Sequence, residues 1–253
     1  MQLEVRSAGD HYELSAAVLV YTHSATRHAF ASKHAVAQHD GRPRILPGTP
    51  ISAQDYQALV QALAPRERPA MQWCDPRVLA RGLGRLLWWT PPGQRSLFFR
   101  KSAQHPGSFD ARGRCHCPGL VFLAAEGQLF VYAFKGAAAP TRDTRLYQAP
   151  FFNVWSTGQV CAGNAALPPT DTEDPDAWER MFFQSHFTHP NFSEPDRLTV
   201  GVAPARFWQD RLAQPDAPFP EPVLFELGLP VEALMQLDLR ARLEALPRAN
   251  GEF

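Results

Sequence analysis

The chain has 253 residues, 25 basic and 25 acidic side chains, a formal net charge of zero and 45% hydrophobic residues. That length can bury a sizeable core, as one large domain or as a main domain with an appendage. The balanced charge offers neither a basic field for nucleic acid nor an acidic tail for a cationic partner. Four cysteines in a chain this long do not make a disulfide scaffold, so reduced thiols in a cytoplasmic protein are expected.

The first residues, MQLEVRSAGDHYEL, carry charges and no long apolar stretch, unlike a signal peptide. Apolar runs such as Ala16 to Tyr21 are too short to span a bilayer, so no membrane segment is expected. Tyr12 to Tyr21 and Arg27 to Val36 read as strands, and the Gly/Pro-rich stretch Gly41 to Pro50 reads as a loop. Ile51 to Leu63 reads as a helix. Ser52 is a plausible N-cap with Asp55 three residues on, and Tyr56, Leu59, Val60 and Leu63 share one face. Residues 1–66 are therefore expected to form an N-terminal strand-helix appendage, with residues 67–253 as the main domain.

Arg77 to Leu87 contains Gly82 and Gly84, which weaken a helix. The runs at 86–90, 95–100, 119–125 and 128–135 are apolar or alternating and are split by turn signals. With Glu126-Gly127 as a hairpin connection, they predict an antiparallel meander of three or four strands. Pro140 to Pro150 reads as extended chain. Asp174 to His186 predicts a helix, with Asp174 as cap, Pro175 in the first turn, and Trp178, Met181, Phe182 and Ser185 on one face. Val231 to Leu246 has the pattern of an amphipathic C-terminal helix. The class is α+β.

The stretch with the most chemistry is APFFNVWSTGQVCAGN. Here Pro150 is followed by Phe151-Phe152, then Asn153-Val154, three residues, Gly158, one residue, and Val160-Cys161. That order resembles the ubiquitin-conjugating enzymes, whose motif runs Pro, a few residues, His-Pro-Asn-(Ile/Val), three residues, Gly, one residue, (Ile/Val)-Cys. The Asn-to-Cys spacing of eight is the family's, and Phe151-Phe152 stand where the family has His-Pro. The WWTPP, HCPGLVF, APFFNVWSTGQVCAGN and FFQSHFTHPNF segments further resemble a divergent prokaryotic ubiquitin-conjugating-like family. The likeness covers roughly residues 70–200 and, more loosely, the whole chain.

The resemblance implies a ubiquitin-conjugating-like fold of helix, antiparallel meander, Cys-bearing segment and C-terminal helices. It implies a thiol relay that acts with a ThiF-like activating enzyme and a small ubiquitin-like protein, with a JAB-type peptidase in the same gene sets. Cys161 would carry the acyl group. Asn153 would inherit either stabilisation of the oxyanion or ordering of the active-site loop. Chemically, a relay thiol must be accessible and ionisable, and an amide donor near a developing negative charge suits acyl transfer. A buried small hydrophobe is the opposing reading of Cys161. A scaffold without turnover and a cysteine hydrolase using His186 or His189 are the rival functions.

His189-Pro190-Asn191 spells the missing tripeptide, yet no cysteine follows it at a useful spacing. His189 is a candidate to assist ionisation of Cys161 if the fold brings them together, and a helix-terminal His that caps carbonyls is the alternative. Cys115-His116-Cys117 is half a zinc site at most and reads as residues entering a strand before Pro118. Cys74, beside Trp73, reads as structural. Trp88-Trp89 and Phe98-Phe99 read as one-in, one-out strand pairs. Nucleotide, dinucleotide and serine-hydrolase signatures are missing, so no cofactor and no metal are expected.

Overall fold

A computed structural model describes residues 14–24, 28–40, 42–63, 73–82, 84–105, 107–163, 165–169, 172–192 and 194–236. The chain divides into two units, Met1–Gln72 and Trp73–Phe253.

In the first unit, β1 (Ala16–Thr22), β2 (Ala29–His39) and β3 (Arg42–Pro50) form an antiparallel sheet in the order β1-β2-β3. The stretch expected as a loop, Gly41 to Pro50, is largely strand. Pro43, Pro47 and Pro50 are compatible with β3 because it pairs only with β2, and an edge strand can do without some of its N–H donors. The pairing also slips between His34 and Val36, a local bulge that relaxes the register. The helix α1 (Ala53–Leu63) starts as its sequence predicts. Asp55 N–H donates to Ser52 Oγ (3.1 Å), while Ser52 N–H and Oγ–H donate to Asp55 Oδ2 (3.2 and 2.7 Å). That is a reciprocal capping box. Hydrogen bonds from Lys33 and from Ser52 hold the Asp55 carboxyl down at about 2.

The second unit runs through β4 (Val78–Gly82), β5 (Arg85–Thr90), β6 (Gly93–Phe99), β7 (Ala111–Cys117), β8 (Gly119–Ala125), β9 (Gln128–Phe134) and β10 (Arg145–Gln148). Then come α2 (Pro175–Gln184), β11 (His186–Phe187), α3 (Pro195–Leu198), α4 (Pro204–Ala213) and β12 (Glu226–Pro230). The main sheet has the order β12-β10-β9-β8-β5-β4, and a second sheet has the order β11-β6-β7. The predicted meander is thus corrected at one member. Runs 86–90, 119–125 and 128–135 lie side by side as β5, β8 and β9, but 95–100 leaves for the second sheet and pairs with β7. Pro91-Pro92 between β5 and β6 break the strand, since neither supplies an N–H. The hairpin at Glu126-Gly127 forms with φ of 52° and 74°, the mirror-image turn that suits two-residue connections.

Every residue of β8 is buried because both faces of the sheet are covered, which explains its unbroken apolar run. Trp88 packs into the core on one face and Trp89 against the core on the other. The first of these cores gathers β5, β6, β8, α2, α4 and Phe151-Phe152. Phe151 stacks on Trp208 (5.2 Å, 26°) and on Phe187 (5.6 Å, 30°), and meets Phe182 edge to face (5.3 Å).

The helix α2 begins at Pro175 with Asp174 Oδ1 accepting from Asp176 N–H (2.9 Å), as expected from its cap. It ends at Gln184, where the Ser185 hydroxyl donates to Phe182 O (2.7 Å). The expected C-terminal helix is corrected where it is described. Val231–Met235 is a 3-10 turn and Gln236 is extended, and the remainder lies outside the described residues. The helix α4 has an Ala N-cap with no side-chain hydrogen bond, so it lacks the start signal that marks α2.

Phe151→Ala removes the centre of the aromatic cluster and is expected to cost about 3–5 kcal/mol of stability. Urea unfolding measures it, and a loss below about 1 kcal/mol would contradict this packing.

Candidate active site

The Asn-to-Cys segment is a small hairpin laid along β9 at Leu129–Val131, on the flank where β10 pairs only with Tyr132 and Ala133. Cys161 N–H donates to Asn153 O (2.7 Å), Trp155 N–H to Gln159 O (2.8 Å), and Val154 bridges Val160. Asn153 and Cys161 are therefore cross-strand partners, and their spacing of eight is a hairpin register. Gly158 N–H closes the turn onto Trp155 O (2.8 Å). Two constraints demand glycine there. Its φ is 84°, and a Cβ would overlap the Tyr132 ring. Val131 N–H to Gly158 O and Val160 N–H to Leu129 O (2.8 Å each) stitch the hairpin to β9. Buried Tyr132 donates its hydroxyl to Thr157 O (2.8 Å).

Below the hairpin, Phe151 and Phe152 are buried in the core, and Trp208 Nε1–H donates to Pro150 O (2.7 Å). Above it, the chain reaches solvent. Cys161 is exposed, which removes the reading of a buried hydrophobe.

Asn153 is the joint between this hairpin and the segment after α2. Its φ is 63°, a left-handed conformation that Asn tolerates better than most residues. Asn153 N–H donates to His189 O (3.1 Å) and Nδ2–H to His186 O (2.6 Å). Its Oδ1 accepts from Thr188 N–H (3.2 Å) and Thr188 Oγ1–H (3.0 Å). The amide expected beside the thiol is thus engaged in tying two loops together. Those contacts join the Cys161 hairpin to the His186–His189 segment.

The same ties bring His189 to the site. Asn153, Cys161, His186, Thr188 and His189 line one cleft of about 630 Å³, with Arg100 and Arg180 on its walls. His189 Nδ1 lies 2.9 Å from Thr188 Oγ1, and its ring stacks on His105 (3.5 Å, 9°). Burial, and then the neighbouring His105, push the His189 imidazole below its ordinary range, which favours the neutral ring. Asn191, of the same tripeptide, is buried beside the cleft with no hydrogen-bond partner at Nδ2. His105 carried no signal in the sequence, and Thr188, although inside the FFQSHFTHPNF segment, had none that set it apart from its neighbours.

Cys115 and Cys117 point into the core from the end of β7, while His116 is half-buried on the opposite side. Burial pushes the Cys117 thiol well up. Among the described residues, no group of three or more His, Cys, Asp or Glu could hold a metal ion. Cys74, expected to be structural, is exposed. No helix among the described residues is long and apolar enough to cross a membrane.

Fold and site together define an α+β protein that presents an exposed cysteine from a hairpin at a sheet edge. A family model described as prokaryotic E2 family D matches residues 55–227, more than half of the chain, and the chain belongs to that family. No curated protein and no solved structure matches it.

Alkylation of the native protein should label Cys161 and Cys74 and spare Cys115 and Cys117, with all four labelled after unfolding. Peptide mapping reads the outcome, and protection of Cys161 would contradict the geometry.

Proposed function

We propose that the protein is a ubiquitin-conjugating-like thiol relay with Cys161 as the carrier. The observation that carries this reading is the exposed cysteine at the mouth of a cleft, in a member of prokaryotic E2 family D. The Cys161 thiolate attacks the thioester carbonyl at the C-terminus of a small ubiquitin-like protein held by a ThiF-like activating enzyme. A new C–S bond forms, and the activating enzyme's sulfur leaves as thiolate. An acceptor nucleophile then attacks the Cys161 thioester, and the Cys161 thiolate leaves in turn. ATP is consumed by the activating partner, so this chain needs no nucleotide site.

Asn153 holds the carrier loop in place, and His189 receives a proton within the same cleft. Within the family, the WWTPP, HCPGLVF, APFFNVWSTGQVCAGN and FFQSHFTHPNF segments resemble the PRTRC system protein B. That likeness supports a JAB-type peptidase as a further member of the same system. The replacement of His-Pro by Phe151-Phe152 does not oppose the relay, because both rings anchor the hairpin from beneath.

Incubation with the activating enzyme, the ubiquitin-like protein and ATP should give a reductant-sensitive adduct that vanishes in Cys161→Ala. Failure of the wild type to form any adduct would overturn the relay in favour of a scaffold. Cleavage of a ubiquitin-like C-terminal ester without the activating enzyme would instead establish the hydrolase.

A further inference from the structure

Hydrogen-bond polarity in the cleft can be followed atom by atom from groups whose roles are fixed. His186 O is a carbonyl and can only accept, so the Asn153 atom 2.6 Å from it is the amide nitrogen. Thr188 N–H can only donate, so the Asn153 atom 3.2 Å from it is the oxygen. Two backbone groups therefore settle the orientation of the Asn153 amide. The Thr188 hydroxyl lies 3.0 Å from that same Asn153 oxygen. An amide oxygen carries no proton, so the single hydroxyl proton of Thr188 is given to it. What remains on Thr188 Oγ1 is acceptor capacity, and His189 Nδ1 sits 2.9 Å away. For that contact to be a hydrogen bond, Nδ1 must carry the proton.

We infer that Thr188 is a positioning residue that holds neutral His189 in its Nδ1–H tautomer and leaves Nε2 as the nitrogen able to take a proton. The chain of donors runs His189 Nδ1–H to Thr188 Oγ1, Thr188 Oγ1–H to Asn153 Oδ1, and Asn153 Nδ2–H to His186 O. Free neutral histidine prefers the opposite tautomer, with the proton on Nε2, which would make it a donor there and no base. Stacking on His105 at 3.5 Å restrains the ring plane, which opposes the ring flip that would put Cδ2 in place of Nδ1 beside Thr188. Asn153 also accepts the Cys161 N–H. One network thus sets both the nucleophile's loop and the protonation site of the base.

The catalytic meaning of this tautomer rests on the proposed relay. There, Nε2 would take the proton released when an acceptor amine attacks the Cys161 thioester, and a positioned base typically contributes about 10²–10⁴-fold.

The experiment reads the tautomer directly in the full chain. A long-range 1H–15N correlation spectrum of 15N-labelled protein separates the two forms, and the His189 signal is the one lost in His189→Gln. Wild type should show the Nδ1–H pattern, Thr188→Val the Nε2–H pattern, and Thr188→Ser the wild-type pattern. In the relay assay, Thr188→Val should slow discharge of the Cys161 adduct roughly tenfold, as partial loss of a general base. Thr188→Ser should restore the rate. A wild-type His189 in the Nε2–H form overturns the inference even if Thr188→Val fails to fold, and so does an unchanged tautomer in a folded Thr188→Val protein. The spectrum needs no partner protein. Absence of any adduct therefore overturns the proposed function alone, while the inference about Thr188 is decided by the spectrum.

Discussion

The arrangement of the site depends on one residue, Asn153, whose four polar groups are all engaged. Its main chain joins His189 O to the Cys161 N–H, and its side chain joins His186 O to Thr188. Two segments more than twenty residues apart in sequence are held against each other by these contacts. Each bond is modest on its own, about 0.5–1.5 kcal/mol net. Together they choose one loop geometry, because the left-handed backbone at φ 63° is compatible with few alternatives. An amide tied in this way holds the surroundings of the thiol in one geometry.

The floor beneath that joint is apolar. Where the family motif has His-Pro, this chain buries two phenylalanines against Phe99, Phe109, Phe182, Phe187 and Trp208. The Trp208 indole N–H satisfies Pro150 O at the point where the segment enters the hairpin. Buried aromatic area and one hydrogen bond thus fix the base of the Cys161 hairpin, and polar contacts fix its rim. The helices α2 and α4, which supply Phe182 and Trp208, are thereby coupled to the position of Cys161 through the core.

Much of the site was legible because it is local. The Asn153-to-Cys161 spacing is a hairpin register, Gly158 answers a positive φ and the Tyr132 ring, and Asp174-Pro175 is a start signal that α2 obeys. What escaped was set by distant contacts. The second sheet forms because β6 takes β7 and β11 as neighbours, and nothing in RSLFFR distinguishes that choice from membership of the meander. Strand β3 hid behind prolines that only an edge position tolerates, and α4 begins without a capping side chain. Thr188 is an ordinary threonine until the fold sets it between Asn153 and His189.

The Asn153 side chain locks the Cys161 hairpin to the His186–His189 segment. Amide hydrogen exchange in Asn153→Gly tests it most directly, because glycine keeps the left-handed backbone and removes only the side chain. Exchange at the Thr188 amide should quicken about tenfold, as expected for loss of roughly 1.4 kcal/mol of local protection, while amides in β8 stay unchanged. Equal protection of Thr188 in both proteins would contradict the account.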